Sequence, residues 1–311
     1  MTNTDLYATD EASGEHWTMW LGDSCERLAE MPPDSVDLIV CSPPFASLYT
    51  YSPSPRDLGN AASREEFHEH YAYIIRETLR VLKPGRIAAI HVQQLTTTKA
   101  QHGHVGLTDF RGEVIRNHTD NGWWFVGEVT IWKNPQAQAT RTKATSLMFV
   151  TKNRDSLQSR PALADYLLLF RKPGESDVPV KTDVTNEEWI EFASPVWWDI
   201  KETDTLNTTV ARTDKDERHI APLQLGLIDR AVRLWTNPGE LVFSPFGGIG
   251  SEGYQAVKRG RRYHGIELKP EYWRVACRNL KEAEATTYGQ SLFDEIADDE
   301  PESVSGGQTD G

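Results

Sequence analysis

"ELVFSPFGGIGSEGYQAVKRGRRYHGIE" spans residues 240–267 and holds the repeating unit of the fold. Leu241, Val242 and Phe243 are an apolar run that reads as a strand, and Gly247, Gly248 and Gly250 follow as a tight turn. "SEGYQAVK" then reads as a helix and "RRYHGIE" as a second strand ending in Glu267. Strand, glycine turn, helix and strand in that order build an open sheet of parallel strands. Glycines at that turn let a ligand come close to the backbone, and the helix start behind them offers unpaired N–H groups. A carboxylate at the place of Glu267 typically bonds ribose hydroxyls in such a unit. A structural turn with a surface glutamate would read the same way.

The same rhythm occupies both ends of the chain. In residues 17–95 "WTMWLGD" is a strand, "SCERLAEMP" a short helix and "SVDLIVCS" a strand. A long amphipathic helix follows, carrying Phe67, Tyr71, Ile74, Ile75, Leu79 and Leu82, with Ser63 as N-cap and Pro84-Gly85 as stop; "RIAAIHV" is the next strand. Residues 220–283 add the helix "APLQLGLIDRAVRLWTNPG", the unit above and a final helix. Residues 96–219 are irregular: two strands, "WWFVGEVTIWK" and "YLLLFRKP", flank the polar, basic loop "NPQAQATRTKATS", and the whole reads as remaining strands plus an inserted recognition region. Residues 1–16 read as a flexible N-terminus and 284–311 as a disordered acidic tail.

A second motif, "CSPPF" at residues 41–45, ends the strand through Leu38–Val40 against two prolines and an aromatic. Each proline fixes φ and removes an N–H while its carbonyl stays free to accept, so the segment is rigid and shaped for holding something. Cys41 beside it reads as a small core-facing residue at a strand end. Three scattered cysteines give neither a disulfide framework nor a cysteine zinc site. No apolar stretch approaches a membrane span and no signal-peptide core is present, so the expectation is a soluble, cytoplasmic protein. The formal charge of −13 is unevenly placed. Residues 281–311 hold nine acidic residues and one basic, whereas residues 96–172 hold eleven basic and six acidic, so a nucleic-acid partner for the middle of the chain is not excluded.

Together these motifs resemble the S-adenosyl-L-methionine-dependent DNA amino-methyltransferases (cytosine-N4 or adenine-N6) of the circularly permuted beta class. "GDSCERLAEMPPDSVDLIVCSPPF", "RVLKPGR" and "HGIELKPEYW" add to the match over about residues 17–280. The resemblance implies a Rossmann-like, mostly parallel mixed α/β sheet with helices on both faces and a double-stranded DNA partner. Members often dimerise, so a second copy of the chain is a further implied partner. It makes Ser42, Pro43, Pro44 and Phe45 the catalytic motif: the Ser42 hydroxyl and Pro43 carbonyl would draw an exocyclic amine toward tetrahedral geometry while Phe45 stacks on the flipped base. Phe246, Gly247, Gly248 and Gly250 would hold the methionine end of the cofactor, Glu267 the ribose, and Asp23 the adenine side, unless Asp23 is only the N-cap of "SCERLAEM". Ser244 stands where the family usually has Asp, which puts the grip on the methionine ammonium in question. Ser at the head of the catalytic motif leans toward cytosine N4, with adenine N6 the alternative and a catalytically silent DNA-binding module the rival from another class.

Other features carry weaker readings. Arg141 and Lys143 are candidate phosphate contacts in a loop. The pairs Trp123-Trp124 and Trp197-Trp198 could stack on bases but read first as core. "FHEHY" and "QHGHVG" bring histidines together without a carboxylate cluster, so no metal site is expected. "GQSLFDE", residues 289–295, loosely resembles a short motif for a protein partner of the sliding-clamp kind.

Overall fold

The computed structural model describes residues 8–44, 56–61, 63–142, 144, 147, 151–206 and 222–297, without the side chains of residues 101, 141, 158 and 290–297. Nine strands form one sheet in the order β1 (Asp10–Ser13), β2 (Trp17–Leu21), β11 (Arg262–Glu267), β10 (Leu241–Ser244), β3 (Val36–Cys41), β4 (Leu82–Gln93), β8 (Asp165–Arg171), β7 (Trp124–Ile131) and β9 (Val196–Trp197). The five from β2 to β4 run parallel; β1, β8 and β7 complete a mixed sheet through antiparallel pairings. Strands β5 (Leu95–Thr97) and β6 (Gly106–Thr108) form a separate hairpin.

Both faces of the sheet are covered, which is why β3 is apolar from Leu38 to Val40 on both sides and is buried at every position. Leu38 and Val40 point into one core with helices α7 (Leu225–Trp235), α8 (Ser251–Lys258) and α9 (Pro270–Ala297). Ile39 and Cys41 point into the other, with α2 (Arg64–Val81) and α4 (Phe110–Asp120). On α2 the periodic residues Phe67, Tyr71, Ile74 and Ile75 are all buried, at about 1.5–3 kcal/mol for each large apolar side chain. Ser63 caps this helix by accepting the Glu66 N–H at 3.1 Å.

Asp37, 2% exposed near the start of this strand, fixes which strands lie side by side. It accepts from Lys83 Nζ at 2.6 Å, from Arg86 Nη2 at 3.3 Å and from the Leu241 N–H at 2.9 Å, and Arg86 pairs in turn with Glu240. The cluster joins β3, β4 and β10 at the end of the sheet opposite the site described below.

Four expectations change. Residues 8–16 are not loose: β1 pairs with β2, and the His16 ring stacks on Tyr288 at 3.8 Å. The acidic segment does not begin at residue 284, because α9 continues to Ala297, and Glu284 accepts from the His16 N–H and Trp17 Nε1 at 2.7 and 3.2 Å. Residues 298–311 lie outside the described chain. Helix α2 stops at Val81, so Pro84-Gly85 falls inside β4 instead, where Gly85 has φ +74°. The basic loop contains a helix, α5 (Pro135–Thr142), and the irregular stretch also holds α6 (Asn186–Phe192), started by a capping box from Thr185 and Glu188. Short α1 (Ser24–Arg27) and α3 (Lys99–His102) complete the helices of the described residues.

Candidate active site

The loops leaving the carboxyl ends of β2, β3, β10 and β11 surround a cavity of about 390 Å³. Open parallel sheets bind ligands there, where the strand order reverses; here the reversal lies between β3 and β10. After β3 the chain returns to β4 on one side, and after β10 to β11 on the other, so their two loops diverge and leave a crevice.

The loop after β10 forms one wall. Gly248 has φ +51° and Gly250 φ +86°, a region that costs glycine nothing. A side chain at Gly250 would press on Ala276 of α9 at 3.2 Å, whereas one at Gly248 would enter open space. Glu267 accepts from the Gly248 N–H and the Lys269 N–H, both at 2.8 Å, so the carboxylate at the end of β11 shapes the glycine turn. Burial pushes its carboxyl up to about 7, against the pull of those two hydrogen bonds. Phe246 and Gly247 also line the cavity. Ser244 does not: it is fully buried beneath the wall, its hydroxyl 3.4 Å from the Phe246 N–H.

The loop after β3 forms the opposite wall with Ser42, Pro43 and Pro44; Phe45 lies outside the described residues. Ser42 Oγ is 3.2 Å from His91 Nδ1, and His91 Nε2 is 3.0 Å from Asp165 Oδ2. Lys133 Nζ and Gln93 Nε2 hold Asp165 at 2.6 and 2.9 Å. Burial alone would raise the Asp165 carboxyl, but His91 and Lys133 outweigh it and hold it below the usual carboxylate range. An ionised Asp165 accepts from the His91 Nε2–H and so leaves Nδ1 to accept from Ser42. Neither His91 nor Asp165 stood out in the sequence; the available signal was a histidine inside an otherwise apolar strand. Cys41 is buried, and that burial keeps its thiol protonated, with a pKa well above the ordinary value.

Helix α8 brings two further groups that the sequence reading passed over. Ser251 is 2% exposed, lines the cavity, and has a hydroxyl with no hydrogen-bond partner among the described residues. Glu252, 5% exposed, lines the cavity too, and burial with the neighbouring Glu267 charge pushes its carboxyl up to about 8. Asp23 has both of its expected places: it caps α1 through the Cys25 N–H at 2.8 Å and lines the cavity, where Arg56 reaches it at 3.2 Å.

The remaining candidates are dispersed. Arg141 lies on α5, and Lys143 lies outside the described residues. Each tryptophan pair splits: Trp123 and Trp197 are core, while Trp124 and Trp198 are about half exposed or more. Among the described residues no group of three or more His, Cys, Asp or Glu is placed to hold a metal ion, and no helix is long and apolar enough to cross a membrane.

The N6_N4_Mtase family model, DNA methylase, matches residues 36–278, which includes both walls of the cavity. Type II methyltransferase M.Cfr9I of Citrobacter freundii is 23% identical over 289 residues, 85% of this chain and 87% of that one. Type II methyltransferase M.BglI of Bacillus subtilis is 25% identical over 172 residues, 55% of this chain but 43% of its own length. The Thermus thermophilus protein TTHA0409, solved complexed with S-adenosyl-L-methionine, shares the fold with a TM-score of 0.64 and 24% identity, over 86% of this chain and 96% of that one.

Proposed function

Because this chain belongs to the DNA methylase family, we propose that it moves a methyl group from S-adenosyl-L-methionine to an exocyclic amino group of a base flipped out of double-stranded DNA. The observation that carries the reading is that Ser42-Pro43 and the Gly248–Glu267 turn, more than 200 residues apart in sequence, face each other across one cavity. The walls suit the cofactor: the volume lies within the range of small-ligand sites, Gly248 leaves its side-chain space empty, and Ser251 offers an unused hydroxyl. Glu267 keeps a lone pair on each oxygen for ribose hydroxyls. When bound, the cofactor supplies an electrophilic methyl group whose bond to sulfur breaks as the bond to nitrogen forms.

The chain's own residues prepare the nitrogen. An exocyclic amine is a poor nucleophile because its lone pair is delocalised into the ring. Ser42 Oγ and the Pro43 carbonyl accept its N–H groups and aim the lone pair across the cavity. As the new bond forms, the amine proton passes to Ser42 Oγ while the Ser42 proton passes to His91 Nδ1, and the Asp165 carboxylate stabilises the resulting imidazolium. No covalent enzyme intermediate is needed, which leaves Cys41 without a chemical role.

Cytosine N4 is the favoured target because Ser, in place of the Asp usual in adenine N6 enzymes, heads the catalytic motif; adenine N6 is the second reading. Modification-sensitive sequencing of DNA from cells producing the protein reads base and site together. N4-methylcytosine at one short sequence is expected, lost in Ser42→Ala. Unmodified DNA with intact cofactor binding would leave the silent DNA-binding module standing.

A further inference from the structure

We propose that Glu252 is the carboxylate that receives the α-ammonium group of S-adenosyl-L-methionine, a role that its place at the head of α8 gives to this chain in the absence of an acid at Ser244. The proposal rests on the cofactor reading above and assigns one contact within it.

Four observations lead to Glu252. It sits in the first turn of α8, behind the glycine turn, and lines the cavity although it is 5% exposed. Among the described residues no cationic side chain forms an ion pair with it. Other acids of the cavity have partners: Asp23 has Arg56, and Glu267 has the Gly248 and Lys269 N–H groups. The adjacent Ser251 hydroxyl is likewise buried against the cavity with no partner among the described residues.

A buried carboxylate without a cation is costly, and that cost is removed when a ligand brings one. Glu252 acts on Tyr263 of β11 and on Cys41 of β3, and is acted on by Glu267, so it lies under the ends of β3 and β11. β10, which ends in Ser244, lies between those two strands. An ammonium drawn to Glu252 lies beside the Ser251 hydroxyl and the α8 N-terminus, where N–H groups suit the neighbouring α-carboxylate of the same amino acid.

Calorimetric binding of three probes to the full chain tests this. S-adenosyl-L-methionine carries ammonium and sulfonium, S-adenosylhomocysteine the ammonium alone, and 5′-methylthioadenosine neither. Glu252→Gln should weaken the first two at least tenfold and leave the third within twofold. Unchanged affinity for all three probes overturns the proposal and leaves the cofactor reading standing. Loss for S-adenosyl-L-methionine alone overturns it in favour of a sulfonium contact, and equal loss for all three overturns it in favour of a structural role. Failure of the unaltered chain to bind any probe overturns the cofactor reading itself.

Discussion

Ser42 is held by a histidine that it meets only in the folded chain, and this separates what it does from what a lone hydroxyl can do. Positioned proton acceptors typically contribute 10²–10⁴-fold. His91→Gln and Asp165→Asn are therefore each expected to lower kcat by about 10²-fold or more while KM for S-adenosyl-L-methionine stays within about threefold. Steady-state kinetics checks this, and an equal change in both constants would assign His91 to binding instead. The acidic pair gives a second expectation. Glu252 and Glu267 are held up to about 8 and about 7, and both must ionise to serve a cation and ribose hydroxyls. Cofactor affinity should thus rise with pH from 6 to 8, and binding at pH 7 should release protons, measurable by calorimetry in buffers of different ionisation heat. Glu267 also feels Asp57, which raises it, and Lys269, which lowers it, while Glu252 in turn raises Tyr263 and Cys41. The ligand-free protein should show the reverse trend: a carboxyl raised by folding costs stability as pH climbs from its unfolded value, about 4.5, through its folded one. Glu252→Gln should then raise the melting temperature by a few degrees at pH 8.5 and by less at pH 5.

Strands buried on both faces and a helix with one apolar stripe announce themselves, and so β2, β3, β4, β10, β11 and α2 were legible in the sequence. The Ser42-Pro43-Pro44 and glycine turns were legible for a related reason, since each is a local run with its own backbone chemistry. His91 and Asp165 were not. They meet because β4 and β8 pair antiparallel with Gln93 opposite Asp165, a register that joins residues 74 apart in sequence. The end of α9 was misjudged because acidic composition argues for disorder, whereas Glu284 and Tyr288 are anchored by His16 and Trp17, some 270 residues earlier. Removal of residues 298–311 should therefore leave stability and methylation unchanged. Removal of residues 284–311 should free β1 and cost about 1–3 kcal/mol in urea unfolding, from the buried N–H and the indole left without acceptors. Asp37 belongs to the same scale. Asp37→Ala leaves the Leu241 N–H without its acceptor and the nearly buried Arg86 with Glu240 alone, and about 1–3 kcal/mol of stability should go with it, read from the urea midpoint.

Across the whole molecule, the basic surplus of residues 96–172 is partly spent internally. Arg111 pairs with Glu128, Lys133 with Asp165 and Lys172 with Asp34, while Arg171 lies over Trp124. That leaves a narrower set of cations for phosphate, with Arg141, on α5, and Lys143 the pair to test. Arg141→Ala with Lys143→Ala should weaken binding to duplex DNA and flatten its salt dependence by up to about two units, without altering cofactor affinity. Titrations across a salt series decide it, and an unchanged slope would move the DNA-binding face elsewhere. The pairing of β3 with β10 has one more outcome, felt before the protein is finished. Asp37 and the Leu241 N–H that it accepts are 204 residues apart. A ribosome adding about 5–20 residues per second puts roughly 10–40 s between them. Throughout that interval the nascent chain holds an apolar strand with an open edge, a standing invitation to chaperones, and no methyl transfer can begin until the last quarter of the message has been read.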